Sequence, residues 1–378
     1  MNSPGIHRLY PHVPAAFIPI GLAVLAIIAT LFGWLVFAPS HVGTDVEFHG
    51  PDVSNIHSIA YTIPGEQFDD VVVQPADGST SPRVLATFPS GGPTGVHMRG
   101  AASPLGETIA VLWVAPFATR ANLSLVDTST GEVRAIDGLF DSLSSIAWSS
   151  DGTRVALTST TELDGTKRTN VHEVERISGV SRTVASFEGA IDVAPVGYSF
   201  DSARLYVVVV DVSGSNLYAE EAGKSSRVAG LSPGRTRDWA LSPDGTRLAF
   251  VDVLSGGART YVGRSLVIAT GTVTTLPAEK NQFGASWVPG SPLPSFGGPG
   301  GAWQLTNPAP DAAYLVPEDW SPDGAYLVAT VYGADDQSGR PTSALELITR
   351  ESANQQSTRH RFSEARGAAF LGWVRDLN

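Results

Sequence analysis

Three stretches decide the fold: Ile146-Ala-Trp-Ser-Ser-Asp-Gly-Thr-Arg-Val-Ala-Leu157, Asp238-Trp-Ala-Leu-Ser-Pro-Asp-Gly-Thr-Arg-Leu-Ala-Phe250 and Glu318-Asp-Trp-Ser-Pro-Asp-Gly-Ala-Tyr-Leu-Val-Ala329. Each has a polar Ser-x-Asp-Gly core between two short apolar runs. Pro presets φ at the second turn position, Asp is tolerated at the third, and Gly takes the positive φ that follows. Each stretch therefore predicts a strand, a tight turn and a second strand.

Weaker copies of this unit occur at 196–207 and 101–111, and a degenerate copy lies at 285–290. Their equivalent positions include Leu105, Asp151 and Asp201, and the intervals along the chain are mostly in the forties. A period of this length with four short strands per repeat is typical of a β-propeller. The sequence therefore predicts an all-β chain.

The Trp-Ser-Pro-Asp-Gly-x-x-Leu-Ala-Phe pattern resembles the WD40-like (PD40) repeat of TolB-type propellers over roughly residues 56–375. The resemblance implies a β-propeller of four-stranded blades and protein–protein work in the cell envelope. Two departures are Ser202, which stands where Gly is expected, and the copy at 285–290, which lacks the Asp. The Pro- and Gly-rich stretch 289–301 predicts a loop, since Pro removes ladder donors.

The blade count is predicted as seven, or as six if residues 283–316 do not make a blade. The N-terminal strands predicted at 58–63, 69–74 and 83–88 lack an inner strand, and the C-terminal segment 367–373 lacks partners. Because an unpaired strand edge is a liability, we expect these two segments to join and close the ring.

Composition excludes several classes of protein. The chain has 378 residues, no Cys and a formal charge of −12. The absence of Cys excludes a disulfide scaffold and a thiol enzyme, and the negative charge disfavours a nucleic-acid partner. Sequence motifs for a serine-hydrolase elbow, a nucleotide-binding loop or a dinucleotide fingerprint are absent. We therefore expect no cofactor, no metal site, no catalytic residue and no enzyme activity.

The N-terminal region predicts membrane attachment. Residues 15–38 hold no charged side chain and would span roughly 35 Å as a helix. The predicted organisation is a cytoplasmic tail at 1–14, a single-pass transmembrane signal-anchor at 15–38, an extracytoplasmic linker at 39–55 and a propeller at 56–378. Arg8 precedes the helix and acidic residues follow it, which places the propeller outside the membrane of a prokaryotic cell. Cleavage after Val36-Phe37-Ala38 as a signal peptide is the alternative.

Small residues form a stripe along this helix at Ala23, Ala26, Thr30 and Gly33. Such a stripe lets a second helix approach closely, although small residues are also common in membrane helices. Three histidines, His41, His49 and His57, follow the helix and could contribute to a weak metal site, but we expect a solvated linker there.

The predicted inner strands carry small residues two positions before the turn Ser and large residues one position before it. This alternation predicts that Trp148 and Trp320 belong to the core. Glu318 and Asp319 break the small pattern and could lie at the mouth of the central channel, where they would hold a cation or a base of a partner. A solvated strand end is the simpler alternative.

The expected function is a membrane-anchored, non-catalytic scaffold that binds a protein, plausibly as an accessory subunit of a membrane complex in the cell envelope. The bilayer and one or more envelope proteins are the expected partners. The alternative is a propeller lyase or hydrolase that acts on an envelope glycan or a small ester at the central channel.

Overall fold

The computed structural model describes residues 55–90, 98–254, 260–276, 281–298, 301–302, 312–335, 341–350, 358–362 and 367–376. The predicted tail, transmembrane helix and most of the linker lie outside these residues, as does the stripe of small residues. Among the described residues, no helix has the length and apolarity needed to cross a membrane.

The described chain is all-β and forms six sheets. Sheet 1 contains β1 (Ser58–Ile63), β2 (Phe68–Pro75) and β3 (Arg83–Pro89). Sheet 2 contains β4 (Arg99–Ala102), β5 (Thr108–Trp113), β6 (Ala121–Asp127) and β7 (Val133–Phe140). Sheet 3 contains β8 (Ala147–Trp148), β9 (Arg154–Leu163), β10 (Thr166–Glu175) and β11 (Ser181–Glu188). Sheet 4 contains β12 (Asp192–Tyr198), β13 (Leu205–Asp211), β14 (Gly214–Glu221) and β15 (Lys224–Ser232). Sheet 5 contains β16 (Arg235–Leu241), β17 (Arg247–Leu254), β18 (Thr260–Val267) and β19 (Thr272–Thr275). Sheet 6 contains β20 (Phe283–Trp287), β21 (Pro294–Gly298), β22 (Gly301–Ala302), β23 (Ala312–Trp320), β24 (Tyr326–Asp335), β25 (Pro341–Thr349) and β26 (Arg359–Arg361). The last strand, β27 (Phe370–Val374), belongs to sheet 1.

The sheets are the blades of a six-bladed propeller, so the count of seven is wrong and the alternative of six is confirmed. Five sheets have four strands, whereas β20 to β26 form one sheet of seven. β20 and β21 join this sheet through a single residue pair, Gly298 with Leu315. A short hairpin at the position of a further blade has thus merged with the blade that follows it.

The segment 289–301 is not the predicted loop, because Pro294–Gly298 forms β21. Pro294 begins that strand, the position at which a missing N–H is best tolerated. A Cβ atom on Gly297 would lie 1.8 Å from the Leu315 carbonyl oxygen. Only glycine permits this close approach to β23, so the residue type that suggested a loop is what allows the strand to pack.

The ring closes as predicted. β27 pairs antiparallel with β1, with Ser58 opposite Val374, so the first sheet takes its inner strand from the C-terminal segment. His57 contributes to the closure, because its Nδ1 lies 3.0 Å from Asp376 Oδ2. The two chain segments that lacked partners in sequence therefore satisfy each other.

The Ser-x-Asp-Gly turns have one repeated hydrogen-bond network. In the third sheet, Ser149 Oγ donates to Asp151 Oδ1 at 2.5 Å and accepts from the Arg154 amide at 2.9 Å. Gly152 has φ of 67° and closes the turn onto the Ser149 carbonyl at 2.8 Å. The same contacts recur around Asp201, Asp244 and Asp323. These turns all lie on one side of the ring, which we call the turn face.

The predicted core residues are buried between neighbouring sheets. Trp148 and Trp320 are 8% and 4% exposed, which confirms their assignment to the core. Small residues on the inner strands accept large neighbours, as predicted. A Cβ atom on Gly197, for example, would lie 2.7 Å from a methyl carbon of Leu241 in the next sheet. Close packing of this kind holds successive sheets around a narrow channel.

Candidate functional site

Four inner strands, which belong to three of the sheets, carry a β-bulge before their turn. The register shifts between Pro195 and Gly197 in β12, between Arg237 and Ala240 in β16, between Phe283 and Ser286 in β20, and between Pro317 and Asp319 in β23. A bulge adds a residue to one strand and redirects its side chain. The bulges therefore change which inner-strand side chains point towards the channel.

Glu318 is the extra residue of the β23 bulge. Its Oε1 atom accepts a hydrogen bond of 2.6 Å from Thr330 Oγ1 on the neighbouring strand. Charges on Asp238 of β16 and Arg99 of β4 act on the same carboxylate. Because these three residues come from three different sheets, they meet in the central channel.

Asp319 follows Glu318 on the same strand. Its Oδ1 atom accepts a hydrogen bond of 2.9 Å from the amide of Trp320. Both Glu318 and Asp319 have exposed surface, although protein surrounds them on every side. This combination is expected of carboxylates that contact water inside a channel.

Enclosure by protein affects the ionisation of both carboxylates. Desolvation raises the pKa of Glu318, with a further rise from the charge of Asp238. Desolvation, opposed by the hydrogen bond from the Trp320 amide, raises the pKa of Asp319 to about 7. The exposed surface of both groups limits the effect of desolvation on their pKa values. Part of the Asp319 population is then protonated near neutral pH.

Asp238 connects these carboxylates to the surface of the ring. It has φ of 53°, a conformation that costs energy for a residue other than glycine. The strained backbone lets Oδ2 accept from the Gly284 amide at 2.9 Å while Oδ1 accepts from Arg237 Nε at 2.8 Å. The side chain thus bridges β16 and β20 at the channel entrance.

A cavity of about 1090 Å³ opens beside this entrance. Its lining comes from the ends of sheets 3 to 5, from connecting segments and from the inner strand of sheet 2. It includes Arg99, Asp141, Leu143, Lys167, Ile191, Asp192, Arg235, Arg237, Asp238, Trp239, Leu254 and Tyr261. The lining uses the starts of inner strands, whereas the turns follow their ends. The cavity therefore lies opposite the turn face, on what we call the cavity face.

The other predicted site residues do not meet at this cavity. Ala23, Ala26, Thr30 and Gly33 lie outside the described residues, as do His41 and His49. His57 lies on the turn face, paired with Asp376. No group of three or more His, Asp or Glu in the described part of the chain is arranged to hold a metal ion. The role of Glu318 and Asp319 at the channel mouth stays a prediction.

Sequence reasoning missed Arg99, Arg235 and Asp238. Arg99 and Arg235 stand at the starts of inner strands, where no motif marks them, and Asp238 lies in a bulge at the first position of the repeat copy 238–250. Their only signal is charge at positions where other repeats have apolar or small residues. That signal becomes visible only once the bulges fix the alignment of the inner strands.

No family model matches the chain, and no curated protein matches it. Solved structures do share its fold. TolB from Acinetobacter baumannii has a TM-score of 0.50 and 17% sequence identity, over 84% of this chain and 67% of that protein. The acylaminoacyl peptidase of Pyrococcus horikoshii has a TM-score of 0.55 and 13% identity, over 82% of this chain and 51% of the peptidase. The chain thus spans about half the length of that enzyme.

The β-propeller domain of the Trilobed protease from Pyrococcus furiosus is also similar, with a TM-score of 0.52 and 11% identity. The match covers 81% of this chain and 99% of that domain. That domain has an open velcro topology, whereas here β27 pairs with β1. At these identities the comparisons show a β-propeller fold that this chain shares with TolB and with these proteases, and they do not extend to function.

The expectation that the chain is not an enzyme is wrong as an inference from its fold. The solved structures that share this fold include two from proteins named as a peptidase and a protease. The prediction rested on missing sequence motifs and on the scaffold role implied by TolB-type propellers. Because enzymes and non-enzymes share this architecture, the fold cannot separate them.

Proposed function

We propose that the chain is a binding and scaffold module of the cell envelope whose partner docks on the cavity face. The observation that carries this proposal is the position of the cavity relative to the chain ends. His57 and Asp376 mark the two ends of the described propeller, and both lie on the turn face. A partner on the opposite face would approach without meeting either end of the ring.

We further propose that residues 15–38 anchor the propeller to the membrane and that the chain is an accessory subunit of a membrane complex. The uncharged stretch supports an anchor, and the stripe at Ala23, Ala26, Thr30 and Gly33 supports contact with a partner helix. The repeated Ser-x-Asp-Gly turns support assignment of the repeats to the WD40-like (PD40) type.

The test is purification of the full-length chain from native membranes in mild detergent, with mass spectrometry of the proteins that accompany it. Two matched variants probe the two faces. Leu143 lines the cavity and is 70% exposed, whereas Ile177 lies in a turn-face hairpin and is 74% exposed. We expect Leu143→Arg to lose a stoichiometric partner and Ile177→Arg to retain it, because only the first places a charge at the docking face.

A third variant replaces Ala23, Ala26, Thr30 and Gly33 by Leu. If this variant loses the partner, the anchor contributes to the complex through its small face. Retention of every partner by Leu143→Arg, together with loss from Ile177→Arg, would contradict docking on the cavity face.

The second candidate function is catalysis in the channel, as a lyase or hydrolase of an envelope glycan or a small ester. The specific observation in its favour is the pair Glu318 and Asp319, two carboxylates enclosed beneath an open cavity, with the pKa of Asp319 raised to about 7. Incubation of the purified chain with envelope glycans and with chromogenic esters tests this candidate. Turnover by the native chain that Asp319→Asn abolishes would support it, and turnover that survives both Asp319→Asn and Glu318→Gln would contradict it.

A further inference from the structure

The basic side chains of the cavity differ in whether they already have partners. Lys167 Nζ donates to the Ile191 carbonyl at 3.0 Å, and Arg237 Nε pairs with Asp238 Oδ1 at 2.8 Å. Arg99 and Arg235 form no ion pair with any carboxylate in the described part of the chain. Two guanidinium groups therefore face the cavity with their charge uncompensated by a direct partner.

The acidic side chains of the lining are mostly engaged. Asp141 Oδ1 accepts from the Thr160 amide at 2.9 Å, and its Oδ2 accepts from the hydroxyls of Thr158 and Thr160. Asp238 is held by Arg237 and Gly284. Asp192, exposed at the start of β12, is the remaining acid of the lining.

Glu318 lies near Arg99 as well, and burial raises its pKa, which disfavours the charged form of this carboxyl group. The lining of the cavity holds four basic and three acidic side chains, so it keeps a net positive character although the whole chain carries a formal charge of −12. A local field of this sign attracts anionic ligands.

Aliphatic side chains form the rim of the same cavity. Leu143 is 70% exposed, and Ile191 and Leu254 are each 40% exposed. Exposed apolar groups beside arginines are typical of surfaces that bind proteins. Hydroxyl-rich sugars would leave these aliphatic side chains exposed to water or to polar groups, whereas the apolar side chains of a peptide would cover them.

The cavity, at about 1090 Å³, is larger than the roughly 300–1,000 Å³ of most small-molecule pockets. Its volume suits several linked residues better than a single small ligand. We propose that it binds an acidic peptide segment of a partner protein, with Arg99 and Arg235 pairing the carboxylates and Leu143, Ile191 and Leu254 covering the apolar side chains. This assignment rests on the proposed docking of a partner on the cavity face.

The test titrates the full-length chain in a zwitterionic detergent into a fluorescein-labelled octapeptide of alternating glutamate and leucine, read by fluorescence anisotropy. We expect saturable binding that weakens at least tenfold in Arg99→Gln and in Arg235→Gln, and that weakens further as salt is raised. Arg204→Gln is the matched control. It removes one exposed arginine from the turn face and should leave the affinity within twofold.

Two further peptides separate the contributions. An octapeptide of alternating glutamine and leucine keeps the apolar groups, and one of alternating glutamate and serine keeps the charges. We expect each to bind at least tenfold more weakly than the glutamate–leucine peptide. Equal binding of the glutamine–leucine peptide would overturn the role of the arginines, and equal binding of the glutamate–serine peptide would overturn the role of the aliphatic rim.

Three other outcomes would overturn the proposal: an absence of saturable binding by a correctly folded chain, loss of affinity in Arg204→Gln equal to that in the cavity variants, or arginine-dependent binding of a uronic-acid oligosaccharide in place of the peptide. Circular dichroism of each variant establishes folding. If the peptides fail while Leu143→Arg still loses its membrane partner, the proposed function stands and only the ligand class is wrong.

Discussion

The third sheet and the sixth sheet carry the same turn motif, but their inner strands differ beside the channel. In the third sheet Ala147 and Trp148 precede the turn, and Trp148 Nε1 donates to the Ala101 carbonyl of the neighbouring sheet at 2.8 Å. In the sixth sheet the equivalent residues are Asp319 and Trp320. The indole N–H of Trp320 is buried, and it has no hydrogen-bond partner in the described part of the chain.

This difference distinguishes the residues of the repeat that pack neighbouring sheets together from the residues that depart from the repeat. The third sheet has the small residue and the satisfied tryptophan that close packing requires. In the sixth sheet an aspartate replaces the small residue, and the tryptophan N–H has no hydrogen-bond partner in the described part of the chain. The same strand carries the two carboxylates that lie near Asp238 and Arg99. Residues that break a repeat without stabilising the fold are candidates for function.

The largest effect should come from removal of the tryptophans. Trp148→Ala and Trp320→Ala should each lower the free energy of unfolding by about 3–5 kcal/mol, because each deletes a large buried side chain. Chemical denaturation of the purified chain measures both values. An unchanged midpoint for either variant would contradict its place in the core.

Substitution by phenylalanine sharpens the same comparison. Trp148→Phe leaves the Ala101 carbonyl without its partner, whereas Trp320→Phe removes an N–H that is already unpaired. We expect the loss of stability to be about 1 kcal/mol greater for Trp148→Phe. Equal losses would mean that the two indole groups are equivalent.

The next effect concerns the turn carboxylate Asp244. Burial would raise its pKa, but hydrogen bonds from Ser242 and Thr246 outweigh burial and lower it. The ionised side chain therefore stabilises the fold at pH 7, and this contribution disappears as the pH falls through the lowered pKa. Asp244→Ala should cost about 1 kcal/mol at pH 7, a modest value because the carboxylate is exposed and solvent screens its charge, and progressively less below pH of about 4. A cost that is independent of pH would contradict this account.

Asp319 should show the opposite pH dependence. Its pKa is raised from 3.8 to about 7, so ionisation opposes folding above the raised value, and this penalty is absent below 3.8. Asp319→Asn should stabilise the chain by about 1 kcal/mol at pH 8, a modest gain because channel water screens the charge. The gain should shrink as the pH falls from 7 towards 4, which thermal melts at several pH values would follow.

The smallest effect concerns Ser202, which takes the place of the turn glycine and has φ of 58°. Ser202→Gly relieves this strain but removes the Oγ atom that accepts from the Asp151 amide at 3.2 Å. We expect a net stabilisation of less than about 1 kcal/mol. Gly152→Ser introduces the same strain in the third sheet and should destabilise the chain. A stabilising Gly152→Ser would show that this turn does not require glycine.

Much of the architecture could be predicted from the sequence because the turns are local. The Ser-x-Asp-Gly units fix hairpins, their period indicates a propeller, and the buried tryptophans follow from alternation along each inner strand. The closing pair β1 and β27 was also predictable, since both segments lacked partners.

The site was less predictable because bulges shift the alternation on which such predictions depend. Asp238 and Glu318 owe their direction to bulges that no residue type marks, and Arg99 is brought to them by the curvature of the ring. The merged sheet was missed because Pro294 and Gly297 suggested a loop, whereas their positions permit a strand.

The most direct test of the central claim, that the cavity face binds a partner, is photo-crosslinking in living cells. A benzoylphenylalanine is placed at position 143 or at position 177 of the full-length chain, two similarly exposed sites on opposite faces. The account predicts a discrete crosslinked protein from position 143 that disappears when Arg99 and Arg235 are both replaced by Gln. A crosslink from position 177 and none from position 143 would contradict it.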